Sequence, residues 1–158
     1  MRKIFSGLSL FICLAVLLSC GSGSYGPSSE VESNVKKLKE TNSCEGCDLK
    51  YANLENASLR NAKLRNADLR NANLTSAELR NADLDFVNAQ YADFGFANLQ
   101  SASMKKADLY HADLSNADLS SADLSNADLR GADLSNAHLN STTLTGASMK
   151  AKDPAESP

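Results

Sequence analysis

The chain has 158 residues, 16 basic against 19 acidic, with two histidines, four cysteines and a formal net charge of −3. With so few histidines and no glycine-rich phosphate loop, no Ser/His/Asp, Cys/His or nucleotide-cradling set can be assembled, and the composition speaks against an enzyme. No cofactor is expected.

The N-terminus reads as an export signal over residues 1–19. Arg2 and Lys3 give a positive start, and an apolar run follows to Leu18. Ser6, Gly7 and Ser9 interrupt it, and it falls short of the roughly 20 residues needed to span a bilayer. It ends in Leu17-Leu18-Ser19-Cys20. This resembles the bacterial lipoprotein signal, which implies cleavage after Ser19 and a lipid on Cys20 as the membrane attachment. An ordinary cleaved signal and an uncleaved anchor are the alternatives. Gly21 stands where Asp would mark inner-membrane retention in enteric-type bacteria, so the resemblance extends to an outer-membrane lipoprotein facing the periplasm. Cys20 and the Gly/Ser-rich residues up to 28 form a lipidated tether.

Residues 29–46 comprise a helix and a junction. Over 29–42, Ser29 and Glu32 fit a capping box, lysines come late, and Val31, Val35 and Leu38 make one apolar stripe. The junction is Cys44-Glu45-Gly46-Cys47. In an exported chain this pair invites a disulfide. Three readings stand: a disulfide or two inert thiols; a thiol–disulfide redox site; and a four-ligand zinc site. The redox reading lacks the helix start inside a βαβ unit that thioredoxin-type pairs use. The zinc reading lacks nearby histidine, because only His111 and His138 exist.

From Cys47 to Ala151 the chain repeats in fives without a gap, giving 105 residues or 21 pentads. The central residue is Leu except at Ala89, Phe94, Met104 and Met149, and the residue two before it is Ala except at Cys47, Val87 and Thr142. A helix would advance about 500° per pentad and scatter the leucines around its surface. A short strand suits the pattern, because Ala and Leu two apart share one face. The next two residues must turn the chain, and Asn and Ser dominate the second of them. The A(D/N)Lxx pattern resembles the pentapeptide-repeat family over about two-thirds of the chain. That resemblance implies an all-β solenoid: a right-handed quadrilateral β-helix of about five coils, four pentads each, roughly 25 Å tall at 4.8 Å per coil. The coil of Ala89, Phe94, Leu99 and Met104 would set its largest axial residue beside its smallest. The helix would be the N-terminal cap that a solenoid needs.

Outside the axis three features stand out. Residues 36–80 carry nine basic and six acidic residues, whereas 81–136 carry three and nine. The basic, tethered end could therefore face anionic lipid, against the plainer reading of a solvated surface. Phe86, Tyr91 and Phe96 close three successive pentads and should occupy three different corners, with Tyr91 nearest Tyr110 and His111. Outward Asp residues such as Asp93, Asp113 and Asp133 should stack. Residues 152–158 contain two prolines and cannot form a second capping helix, so the last coil is expected either to be crossed by the tail or to meet another molecule end to end as a homodimer.

The function these features favour is a non-catalytic, lipid-anchored envelope scaffold or interaction module with an unknown protein partner and no nucleic acid. One alternative follows from the resemblance: some cytoplasmic family members resemble duplex DNA and protect DNA gyrase. The export signal, the basic half and the absent dimerisation segment depart from them. The other alternative is redox exchange at Cys44 and Cys47.

Overall fold

A computed structural model describes residues 27–149. The signal, Cys20, most of the tether and the 152–158 tail lie outside the described residues.

Each pentad folds in the same way. Its first three residues run extended, and the side chains of the first and third point inward. The carbonyl of the third accepts from the N–H three residues on, as from Leu49 to Ala52 at 3.1 Å. That bond closes a four-residue turn. The fifth residue of each unit has positive φ, without exception from Gly46 to Gly146. Asn and Gly tolerate this left-handed region best, which explains why Asn is so frequent there.

Backbone bridges join residues 20 apart, all in parallel, from Ser43↔Lys63 to Asp128↔Ser148. Four pentads therefore make one coil, and the chain is a right-handed quadrilateral β-helix. Ser43, Lys63, Asp83, Ser103, Asp123 and Thr143 form one column, so the ladder rises about 24 Å at strand spacing. It begins one unit earlier than Cys47. Ser43 is bridged, and Cys44, fully buried, takes the axial place that Leu holds elsewhere. The unit Asn42–Gly46 carries neither Ala nor Leu, which hides it from the repeat pattern.

The axis is dry and closely filled. Leu49 through Leu119 are fully buried, as are Ala89, Phe94 and Met104, the departures from Leu within that span. The flanking alanines are also buried, because each corner is tight; Val87, beside the small axial Ala89, is the one larger aliphatic side chain buried there.

Helix α1, Ser29–Thr41, covers the first coil. Val31 and Leu38 are buried, and Val35 packs against the same core. The helix end is capped differently from expectation. Ser28, not Ser29, is the N-cap, and its hydroxyl accepts from Val31 N at 3.3 Å. Glu32 then falls one position too late to complete the box. The exposed edge of the coil is also served. Asn34 Nδ2 donates to the Asp48 carbonyl at 3.0 Å, and Asn42 Nδ2 to that of Arg60 at 2.6 Å, satisfying acceptors that have no coil beneath them.

The opposite end is bare among the described residues. Leu129 is 3% exposed, Leu139 38% and Met149 54%. The N–H groups of Leu134, Leu139 and Leu144 have no partner among the described residues.

This inside–outside division predicts a sharp contrast between neighbours. Leu109→Asp should abolish the cooperative thermal transition by placing a charge on the axis. Asp108→Asn should melt within about 0.5 kcal/mol of the parent protein, as surface changes do. Equal melting of both variants would refute the assignment.

Candidate interaction surfaces

The outward Asp and Asn at the centre of most short strands have a structural task. Their Oδ1 accepts the N–H two residues on: Asp48 from Lys50 at 3.0 Å, Asp93 from Gly95 at 2.8 Å, Asp113 from Ser115 at 2.8 Å. The same bond recurs at Asp68, Asp83, Asn88, Asp108, Asp118, Asp128 and Asp133. It is an Asx turn that satisfies a donor where the strand leaves its ladder. The regular coat of carboxylates is thus part of the backbone's hydrogen bonding.

Asp85 is the informative exception. Ser103 occupies a bridge position without a carboxyl or amide, so Lys105 N–H lacks its usual local acceptor. Asp85, one coil below, supplies it: Oδ1 accepts from Lys105 N at 2.9 Å and from Ser103 Oγ at 2.6 Å, while Oδ2 accepts from Arg65 Nη1 at 2.8 Å. It is buried, at 7% exposure. Burial alone would raise its pKa, but the bonds from Ser103, Lys105 N–H and Arg65 outweigh it and hold the carboxyl below its ordinary value. Nothing in the pentad pattern marks this residue; the missing Asp or Asn at position 103 was its one sequence signal.

Cys44 and Cys47 form a disulfide with Cα atoms 5.3 Å apart. Both sulfurs sit in the first coil under α1, with Cys44 fully buried and Cys47 9% exposed. Among the described residues no group of three His, Cys, Asp or Glu is placed to hold a metal ion, and no helix is long and apolar enough to cross a membrane.

The basic end is less positive in space than in sequence. Lys50 pairs with Asp48 at 3.0 Å, Arg70 with Asp68 at 2.7 Å and Arg65 with Asp85. Arg60, Lys63 and Arg80 have no ion pair among the described residues. Arg60 and Arg80 occupy equivalent turn positions one coil apart.

Aromatic side chains gather in the middle coils. Phe86, Tyr91 and Phe96 all stand at positive-φ corners and are 41%, 52% and 64% exposed. Phe86 lies between two cations, Arg65 at 4.8 Å and Lys106 at 5.4 Å from its ring centre. Tyr91 stacks parallel on His111 at 5.4 Å. Tyr110 stands edge-on to both, 5.9 Å from Tyr91 and 4.2 Å from His111. Above them Gly131 packs against the His111 ring, which a Cβ there would approach within 2.7 Å unless the ring shifted. An open cleft of about 340 Å³ borders this corner, lined by Gln90, Tyr91, Asp108, Tyr110, Asp128 and Arg130. The sequence placed Tyr91 beside Tyr110 and His111 but gave no sign of Gln90, Asp108, Asp128 or Arg130, which join only through the 20-residue register.

The profile for pentapeptide repeats, in 8 copies, matches residues 43–81, 77–116 and 112–150. Among solved structures, the pentapeptide repeat protein Rfr23 from the cyanobacterium Cyanothece 51142 is 27% identical, with a TM-score of 0.69 over 75% of this chain and 95% of that one. A pentapeptide repeat protein from Nostoc PCC 7120, alr5209, is 31% identical over 76% of this chain and 95% of that one, with a TM-score of 0.37. No curated protein matches the chain.

The carboxylate chemistry gives a pH dependence. Bonding to Arg70 lowers the pKa of Asp68 and bonding to Arg130 lowers that of Asp128, as the Asp85 cluster lowers that of Asp85. A carboxyl more acidic in the folded state adds stability above its unfolded pKa of about 3.9, and loses it as pH falls through the lower folded value. Melting temperature should therefore stay level from pH 7 to about 5 and drop below about 4. Asp85→Ala should cost about 2–3 kcal/mol at pH 7, since it strands Lys105 N–H and Arg65, and should make the acid limb shallower. Denaturant melts at pH 7 and 3.5 measure both effects.

Proposed function

Since the chain belongs to the pentapeptide-repeat family, we propose that it is a non-catalytic, lipid-anchored envelope protein whose outer faces bind another protein. The observation that carries this reading is the engagement of the surface carboxylates in turn bonds. What could have been general acids or metal ligands instead shapes a stiff, polar, four-sided rod. Members of such a fold offer fixed columns of side chains at strand spacing, which suits recognition. The Leu17-Leu18-Ser19-Cys20 sequence supports an exported lipoprotein held through Cys20, in the outer membrane facing the periplasm.

Redox exchange is the weaker reading. An attacking thiolate needs access to a sulfur, and both sulfurs lie beneath α1. The DNA-mimic reading draws on acidic columns that the turns already account for. Internal pairing of Lys50, Arg65 and Arg70 also reduces the positive charge that the tethered end could offer to lipid.

The anchor and the interaction are tested separately. The wild-type protein should take up labelled palmitate and fractionate with membranes, whereas Cys20→Ala should do neither. Recovery of wild-type protein in the cytosol would refute the anchor. Crosslinking the anchored protein in its own membranes should yield one stoichiometric partner, and repeated absence of any adduct would refute the interaction module.

The C-terminal coil, bare among the described residues, supports an end-to-end homodimer as part of the same reading. Leu139 and Met149 expose apolar surface there, beside N–H groups that have no partner among the described residues. Light scattering at high micromolar concentration should report a dimer, and Leu139→Lys a monomer. A monomeric wild-type protein at that concentration would remove the dimer.

A further inference from the structure

On one face of the rod, three of the five strand–turn units from 48 to 130 hold an internal ion pair. Asp48 holds Lys50, Asp68 holds Arg70, and Asp128 holds Arg130 through several bonds, including Nε at 2.8 Å. These residues stack at intervals of 20 in one column. In the middle the pattern breaks. Asn88 is followed by Gln90, and Asp108 by Tyr110, so Asp108 is a carboxylate on this face whose own unit supplies no cation. Its Oδ1 accepts from Tyr110 N at 3.2 Å, and its Oδ2 accepts from Gln90 Nε2 at 2.6 Å. Both donors are neutral, and no direct ion pair to Asp108 exists among the described residues; Arg130, one coil higher and clasped by Asp128, reaches it only through its field.

The gap left by the missing cation is the open cleft. Tyr91 and Tyr110, with ring planes 88° apart, border it beside Asp108. A carboxylate next to aromatic faces is the chemistry that holds an ammonium or guanidinium group. The molecule shows the same chemistry one coil higher, where the Arg130 guanidinium clasps Asp128 and lies 5.5 Å over the Tyr110 ring. The corner itself is held at a conformational cost. Tyr91 has φ 58° and is about half exposed, so a bulky ring sits in a region that favours Asn, without burial to offset the strain.

We propose that the Asp108–Tyr91–Tyr110 cleft receives a lysine or arginine side chain of a partner protein, which completes the interrupted ion-pair column. This rests on the interaction reading above and supplies its contact chemistry. The cleft's openness suits a side chain offered by another surface more than a small molecule to be enclosed. The excess of acidic residues over 81–136, nine against three basic, draws cations to this half of the rod.

The test is an NMR titration of the full chain, following the Tyr91 and Tyr110 ring signals, with N-acetyl-lysinamide against its neutral isostere N-acetyl-norleucinamide. The lysine compound should shift both rings saturably, and the norleucine compound should leave them unmoved. Asp108→Asn, which keeps the turn acceptor, and Tyr91→Asn should each weaken binding at least about 10-fold, the scale of one lost charged contact. Asp93→Asn, on a different face, should bind as the wild type does. Tyr91→Asn should melt at or above the wild-type temperature, because Asn suits the corner, so its loss of binding would not reflect unfolding. Equal response to the norleucine compound, or full affinity in Asp108→Asn, would overturn the cleft. Tighter binding of spermidine than of a lysine-containing peptide would overturn a protein as the source. In membrane crosslinking, undiminished partner capture by the Asp108→Asn/Tyr91→Asn double variant would overturn the cleft while leaving the interaction reading intact. Capture absent even with wild-type protein would overturn that reading instead.

Discussion

Turning the chain through a corner every five residues is the constraint on which this molecule depends. Each corner takes one residue into the left-handed region and pulls one N–H out of the parallel ladder. The first demand selects Asn, Gly or Ser at the fifth position, and the second selects Asp or Asn between Ala and Leu. Where those residues stand, the backbone leaves one face and enters the next with that donor satisfied. The apolar demand is simpler: Ala because the corner is tight, Leu because the axis must be filled. Four of the five positions are thus set by backbone geometry and packing before any partner is considered.

Departures from the repeat then become readable as events in space. Ser103 removes a turn acceptor, and Asp85 compensates from one coil away. Ala89 and Phe94 exchange volume along the axis while both remain fully buried. Aromatic residues replace Asn at the corners 86, 91 and 96, where no backbone requirement asks for them. Gln90 and Tyr110 interrupt a column of ion pairs. The first two departures are repaired within the core or the hydrogen-bond network. The aromatic corners and the broken column remain at the surface, which is why the cleft at Asp108 carries more meaning than the acidic columns around it.

The architecture was legible in the sequence because a five-residue period leaves so few ways to bury Ala and Leu. The capping helix was also legible, through Val31, Val35 and Leu38. Two boundaries were not. Ser28 and Ser29 are chemically equivalent caps, and only the seating of Val31 against the first coil decides between them. The unit containing Cys44 lacks the repeat's own residues, and its membership shows only in the bridge from Ser43 to Lys63. The surface sites were least visible. Residues 90, 108 and 128 are far apart in sequence and neighbours only in the stacked register. The partial cancellation of the basic end by Asp48, Asp68 and Asp85 is hidden from any count of charges along the chain.

The placement of α1 has a consequence for assembly. A solenoid open at both ends is a monomer unit for an endless polymer, since each copy can seat on the last. Here one end is closed by a covalently attached stopper, so a contact through the other end must be made by the same surface on both copies. Such an isologous contact closes at two and cannot propagate. The helix therefore fixes the upper limit of growth along the rod axis, and it does so without any residue at the site of contact.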